Sequence, residues 1–195
     1  MNIRISGGSL KGRRFSYEKS NELRPTMEST RLAVFSALDS RPQHINSNSV
    51  FLDLYSGTGI MGLEALSRGA KKAVFVEKNR YLCNKISDNL NKLNLEDKSE
   101  VVCGSVNSFL NYRNIQASHI FADPPYSFKE YNKLLEQIEL NQILNNNGII
   151  VLEMRSKYKD FIYKQELYDC DERAKGGTKI KFLIRKINYE RHISR

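Results

Sequence analysis

Apolar and polar positions follow two different periods along this chain, and the changes of period mark its elements. Ile3 and Ile5 alternate with polar neighbours, Gly7-Gly8 breaks the run, and Leu10 to Tyr17 returns, which predicts a short β-hairpin. Arg24-Pro25-Thr26 follows. Pro25 disfavours helix before it and Thr26 can cap one after it, so a helix is predicted to about Leu38, with Met27, Val34, Phe35 and Leu38 near one face. Residues 39–49 are polar and irregular. They separate an N-terminal extension, 1–45, from a main domain, 46–195.

From residue 50 strand and helix patterns alternate. Val50 to Tyr55 is a continuous apolar run broken by Asp53, and Ile60 to Arg68 is a helix stopped by Gly69. Ala73 to Glu77 is a second strand, and residues 79–94 carry Leu82, Ile86, Leu90 and Leu93 at helical spacing. Glu100–Cys103, Ser118–Ala122 and Gly148–Glu153 read as further strands, with helices near Val106–Leu110 and Tyr131–Leu140. Asn145-Asn146-Asn147 reads as a turn. Phe161–Tyr168 and Thr178–Lys186 read as two strands joined at Gly176-Gly177. The expected fold is α/β: a doubly wound, mostly parallel, Rossmann-like sheet of seven strands with an antiparallel C-terminal hairpin, preceded by the small hairpin-and-helix extension.

Two loops in this frame carry chemistry. The first is Asp53-Leu54-Tyr55-Ser56-Gly57-Thr58-Gly59, between a strand and a helix, with Gly62 completing a GxGxxG spacing. Glycines there let the backbone approach a ligand, and Glu77, 20 residues after Gly57, can accept hydrogen bonds from ribose hydroxyls. This geometry serves any adenosine-bearing cofactor, a nicotinamide dinucleotide included. Asp53 tips the balance: an anion beside the loop gains nothing from a pyrophosphate but can orient the charged methionine part of S-adenosylmethionine. Tyr55, Ser56, Gly57, Thr58, Gly59, Glu77 and Lys78 are therefore expected at the cofactor with Asp53. After the third strand many such enzymes place an acid against the adenine amino group. Here Cys103-Gly104-Ser105-Val106-Asn107 has none, so Ser105 and Val106 are assigned to that contact.

The second loop is Asp123-Pro124-Pro125-Tyr126, directly after a strand. Two prolines fix the backbone at the carboxyl edge of the sheet, where doubly wound folds bind ligands. An exocyclic base nitrogen is a poor nucleophile because its lone pair is delocalised. Hydrogen bonds from its protons to Asp123 and the Pro124 carbonyl would pyramidalise it and aim it at a methyl donor, and Tyr126 could stack on the base. Asp123 thus belongs to both the catalytic and the cofactor sets.

Composition and charge refine the choice of partner. The chain has 195 residues, 27 % of them charged, and a formal charge of +9. Residues 1–50 carry 8 Lys/Arg against 4 Asp/Glu, residues 51–150 carry 11 against 11, and residues 151–195 carry 12 against 7. A neutral middle between basic ends suits a grip on phosphates. Cys83, Cys103, Cys170, His44, His119 and His192 are scattered, so no metal is expected. With no apolar run of about 18 residues the expectation is a soluble, cytoplasmic protein with no membrane partner, and a monomer.

The chain also resembles a known family, the bacterial 16S rRNA guanine-N2 methyltransferases that modify guanine 966 of small-subunit RNA. The resemblance rests on Arg4-Ile5-Ser6-Gly7-Gly8, Lys11-Gly12-Arg13-Arg14, Arg24-Pro25-Thr26, Arg31, the Asp53 loop, Gly62 to Ala70, Glu77 and Asp123 to Tyr126. It implies a class I methyltransferase using S-adenosylmethionine, and it implies that Arg4, Lys11, Arg13, Arg14, Arg24 and Arg31 hold RNA. It further implies a substrate of 16S rRNA in the small ribosomal subunit or a late assembly intermediate. An adenine-N6 methylase of DNA or RNA would share the second loop, although the chain has no separate domain to read DNA sequence. A non-catalytic RNA-binding module is the reading of another class; intact Asp53, Glu77 and Asp123 oppose it.

Overall fold

The computed structural model describes residues 2–16, 27–125, 127–159, 161–175 and 177–186. A two-stranded hairpin, β1 (Asn2–Arg4) and β2 (Arg14–Ser16), precedes α1 (Glu28–Asp39). Then come β3 (Val50–Leu54), α2 (Ile60–Ser67), β4 (Lys72–Glu77), α3 (Arg80–Lys92), β5 (Ser99–Cys103) and α4 (Val106–Tyr112). They are followed by β6 (Ala117–Ala122), α5 (Tyr131–Leu140), β7 (Leu144–Arg155), β8 (Tyr168–Lys175) and β9 (Thr178–Arg185).

Seven strands form one sheet in the order β5-β4-β3-β6-β7-β9-β8. The first five are parallel; β9 runs antiparallel to both β7 and β8. This is the doubly wound arrangement with an antiparallel end that the alternation predicts. The winding reverses between β3 and β6, so the switch-point crevice opens where Asp53 and Asp123 lie.

The central strands are buried on both faces, which is why their sequences read as apolar runs and not as alternations. On one face Phe51, Phe75, Phe121, Val151 and Phe182 pack with α1, α2, α3 and the hairpin residues Ile3, Ile5 and Phe15. On the other, Leu52, Val74, Ile120 and Leu152 pack with α4 and α5. All eight residues of α2 are buried, because the hairpin covers the side of the helix turned away from the sheet. No described helix is long and apolar enough to cross a membrane.

Four local expectations change. The hairpin turn is longer than Gly7-Gly8: Ile5 N–H donates to the Arg13 carbonyl and Gly12 N–H to that of Ile5, so the loop spans the residues between. Helix α1 begins behind Met27, which takes the cap position without a side-chain cap bond and is 55 % exposed; Thr26 lies outside the described residues. Asn145–Asn147 are inside β7, as an irregularity against β6, where Ala117 pairs with Leu144 but His119 with Ile149. Asn147 takes φ of 59° there, a conformation Asn tolerates, which is also why the triplet reads as a turn. Finally, 161–167 form no strand. Phe161, Tyr163 and Leu167 instead pack on the apolar cluster beneath, and the strand begins at Tyr168. Its charged run from Asp169 to Lys175 is suited to the sheet edge it occupies.

Candidate active site

The glycine loop is built by its own backbone. Ser56 N–H donates to the Val76 carbonyl at 3.0 Å, and its hydroxyl donates to the Asp53 carbonyl at 2.6 Å, so Ser56 ties the loop to β3 and β4. Gly57 and Gly59 take φ of 54° and 72°, in the left-handed region that glycine enters without penalty. Tyr55 takes φ of 59° with a full side chain, a strained choice of the kind that collects at ligand sites. Thr58 is buried and Lys78 exposed. A Cβ on Gly62 would stand 2.2 Å from the Phe75 ring, so this glycine lets α2 lie close on β4. Gly62→Ala should lower stability by about 1–3 kcal/mol through overpacking. Urea unfolding reads this as a shifted midpoint; an unchanged midpoint would mean that α2 moves off the sheet freely.

Three carboxylates meet above this loop. Asp53, 1 % exposed, accepts the Gly62 N–H at 2.9 Å through Oδ2 and so pins the first turn of α2. Glu77 accepts Gly57 N–H through Oε2 and Asn79 N–H through Oε1, both at 2.8 Å, tying the loop to the start of α3. A carboxylate has further lone pairs for hydroxyl donors. Asp123 follows β6, partly exposed, with Pro124 buried and Pro125 exposed beside it. Burial holds the Asp53 carboxyl well above the usual carboxylate range, and the charges of Asp123 and Glu77 push it the same way. A cation bound among the three would reverse that push. The three acceptors thus fit a ligand carrying positive charge and ribose hydroxyls, and they oppose a pyrophosphate.

Ser105 is exposed; its Oγ caps α4 by accepting the Ser108 N–H at 3.1 Å. Val106 is buried among the apolar residues beneath. Tyr126 lies outside the described residues. An aromatic series that the sequence reading missed lies beside Asp123: Tyr55 to Phe128 at 5.5 Å between centroids, Phe128 to Tyr131 at 5.0 Å, and Tyr131 to Tyr158 at 4.9 Å. Phe128 N–H donates to the Pro125 carbonyl at 2.8 Å, closing the turn after the two prolines. Burial, with Asp123 adding to it, pushes the Tyr131 hydroxyl up to about 12. These residues are scattered through three segments, so spacing alone could not assemble them.

The basic residues divide. Arg4, Lys11, Arg13 and Arg14 are exposed on the hairpin, and Arg24 lies outside the described residues. Arg31, expected at the RNA, is instead an internal residue, 3 % exposed. It donates to the Arg4 carbonyl at 2.8 Å and pairs with Glu64 at 3.6 Å, which holds the hairpin onto α2. Glu64 also accepts the Ser6 N–H and hydroxyl at 2.6 and 2.5 Å and the Gly7 N–H at 3.2 Å. Ser67 completes the joint: its carbonyl accepts the Ser9 N–H, its hydroxyl oxygen accepts the Leu10 N–H, and that hydroxyl donates to the Gly7 carbonyl.

A family model described as Conserved hypothetical protein 95 matches residues 3–184. The chain belongs to this family. The family's relatives include Ribosomal RNA small subunit methyltransferase D of Escherichia coli (strain K12), 32 % identical over 151 residues, covering 77 % of this chain and 74 % of that protein. The protein of the same name from Haemophilus influenzae is 31 % identical over 154 residues, 77 % of this chain and 78 % of that one. The solved structure of Escherichia coli yhhF superposes with a TM-score of 0.84 at 25 % identity, covering 96 % of this chain and all of that one. The family match takes in the hairpin, both loops and the C-terminal strands, so all the features above belong to one family unit.

Proposed function

We propose that this protein methylates the exocyclic N2 amino group of a guanine in 16S rRNA, using S-adenosylmethionine and acting on the small ribosomal subunit or a late assembly intermediate in the cytoplasm. The observation that carries the reading is the cluster of Asp53, Glu77 and Asp123 at the switch point, with Asp123 set on two prolines. The relatives' names support RNA as substrate.

Asp53 and Glu77 would hold the cofactor's charged end and ribose, on a loop whose glycines leave room for it. The cofactor supplies a methyl group already activated by sulfonium charge, so the protein's work is chiefly positioning. Asp123 and the Pro124 carbonyl accept the two amino protons and localise the nitrogen lone pair. N2 uses that pair to take the methyl group, and the proton it then sheds passes to the Asp123 carboxylate. The segment 1–45 serves as the RNA-gripping extension, with Arg4, Lys11, Arg13 and Arg14 turned to phosphates, and the protein acts as a monomer.

Labelled cofactor, small subunits from cells lacking the native modification, and duplex DNA test the reading together. Label is expected in 16S RNA and not in DNA; label in DNA alone would overturn it. Charge reversal at Arg13 and Arg14 should weaken RNA binding and flatten its dependence on salt by about one logarithmic unit of slope per lost contact. An unchanged slope would mean that the hairpin touches no phosphate.

A further inference from the structure

Glu153 lies in β7 at the level where Asp123 follows β6. The strands run parallel, with Phe121 beside Val151 and Ala122 beside Leu152, so the next residues in register are Asp123 and Glu153. Parallel neighbours lie about 4.8 Å apart. The two-residue period puts both on the face of Phe121 and Val151, the face shared by Asp53 and Glu77. Four neighbouring strands thus carry a carboxylate within two residues of their carboxyl ends, in the order Glu77, Asp53, Asp123, Glu153.

Backbone N–H groups of the glycine loop, α2 and α3 engage the first two acids. Glu153 is different. It is 9 % exposed, Thr178 supplies one side-chain hydrogen bond, and Oε2 has no donor among the described residues. Burial pushes its carboxyl up. A buried acceptor without a donor costs stability unless something arrives to use it.

We propose that Glu153 reads the target base, accepting the N1–H of guanine while Asp123 holds the adjacent N2 amino group. Guanine presents these two donors side by side on its Watson–Crick edge. Adenine presents an amino group beside a ring acceptor, and that lone pair would face the carboxylate. Reaching the base requires the side chain to turn toward the strand end, where Arg155 and Ser156 are exposed. The inference rests on the guanine-N2 reading above and supplies what that reading lacks, a residue that selects the base.

The test uses small subunits reconstituted with either guanine or 2-aminopurine at the mapped position. 2-Aminopurine keeps the amino group but has no N1–H. The wild-type protein should prefer guanine, and Glu153→Gln, which can donate to a bare N1, should cut the guanine-to-2-aminopurine rate ratio by about tenfold or more. The ratio does not depend on the folded fraction, so a stability loss cannot mimic the effect. Guanine methylation by the wild type with an unchanged ratio in Glu153→Gln overturns this inference alone. No guanine methylation by the wild type overturns the proposed function beneath it.

Discussion

Replacing Asp123 with alanine lowers the methylation rate by about 10²–10³-fold while cofactor affinity stays within a few-fold of normal. The asymmetry follows from position. Asp123 follows β6 on the crevice side, partly exposed, whereas Asp53 and Glu77 carry the loop contacts. The amino nitrogen has no other carboxylate set on a rigid proline pair, so the lost hydrogen bond is one that strengthens as the nitrogen pyramidalises. Such a loss falls on kcat and not on KM. Single-turnover rates at saturating cofactor, with binding followed by calorimetry, separate the two. A tenfold loss of cofactor binding with normal chemistry would leave Asp123 in the cofactor set alone.

Glu64→Ala carries the largest expected effect on stability. The carboxylate is fully buried, accepts three hydrogen bonds from Ser6 and Gly7, and lies 3.6 Å from both Arg31 and Arg68 guanidiniums. Its removal leaves Arg31 internal without that counter-charge and leaves the hairpin N–H groups without their acceptor. Breaking a buried pair from one side costs about 3–5 kcal/mol. For a chain of this size that lowers Tm by roughly 6–20 °C. Amide exchange across residues 2–16 should rise with it, since the hairpin is fastened at this point. Glu64→Gln keeps the shape without the charge and should fall between. Unchanged exchange in the hairpin of Glu64→Ala would mean that Ser67 and the apolar residues hold it alone.

What could be read from the sequence was what the chain keeps local. Asp53, the glycines and Glu77 lie within one strand–loop–helix–strand unit, and Asp123 to Pro125 lie in one turn, so type and spacing located them. The resemblance puts Arg31 at the RNA, and nothing in its neighbouring sequence marks it as internal. Its partner Glu64 is 33 residues away, and only the folded hairpin brings them together. Glu64 did leave a trace, as an acid inside an otherwise apolar helix. The strand expected over Phe161–Tyr168 failed for a related reason: aromatic residues that favour strands also cover apolar clusters as irregular chain. Glu153 carried no signal, since its place beside Asp123 depends on strand order and register, which pairing alone decides.

The proposed reaction places one methyl group on one nitrogen of one base. Small-subunit RNA methylated by the protein can be digested to nucleosides and resolved by mass spectrometry against standards, with fragments mapped to the 16S sequence. The transferred methyl group is expected as N2-methylguanosine at a single position of 16S RNA; recovery as N6-methyladenosine would overturn the guanine-N2 proposal.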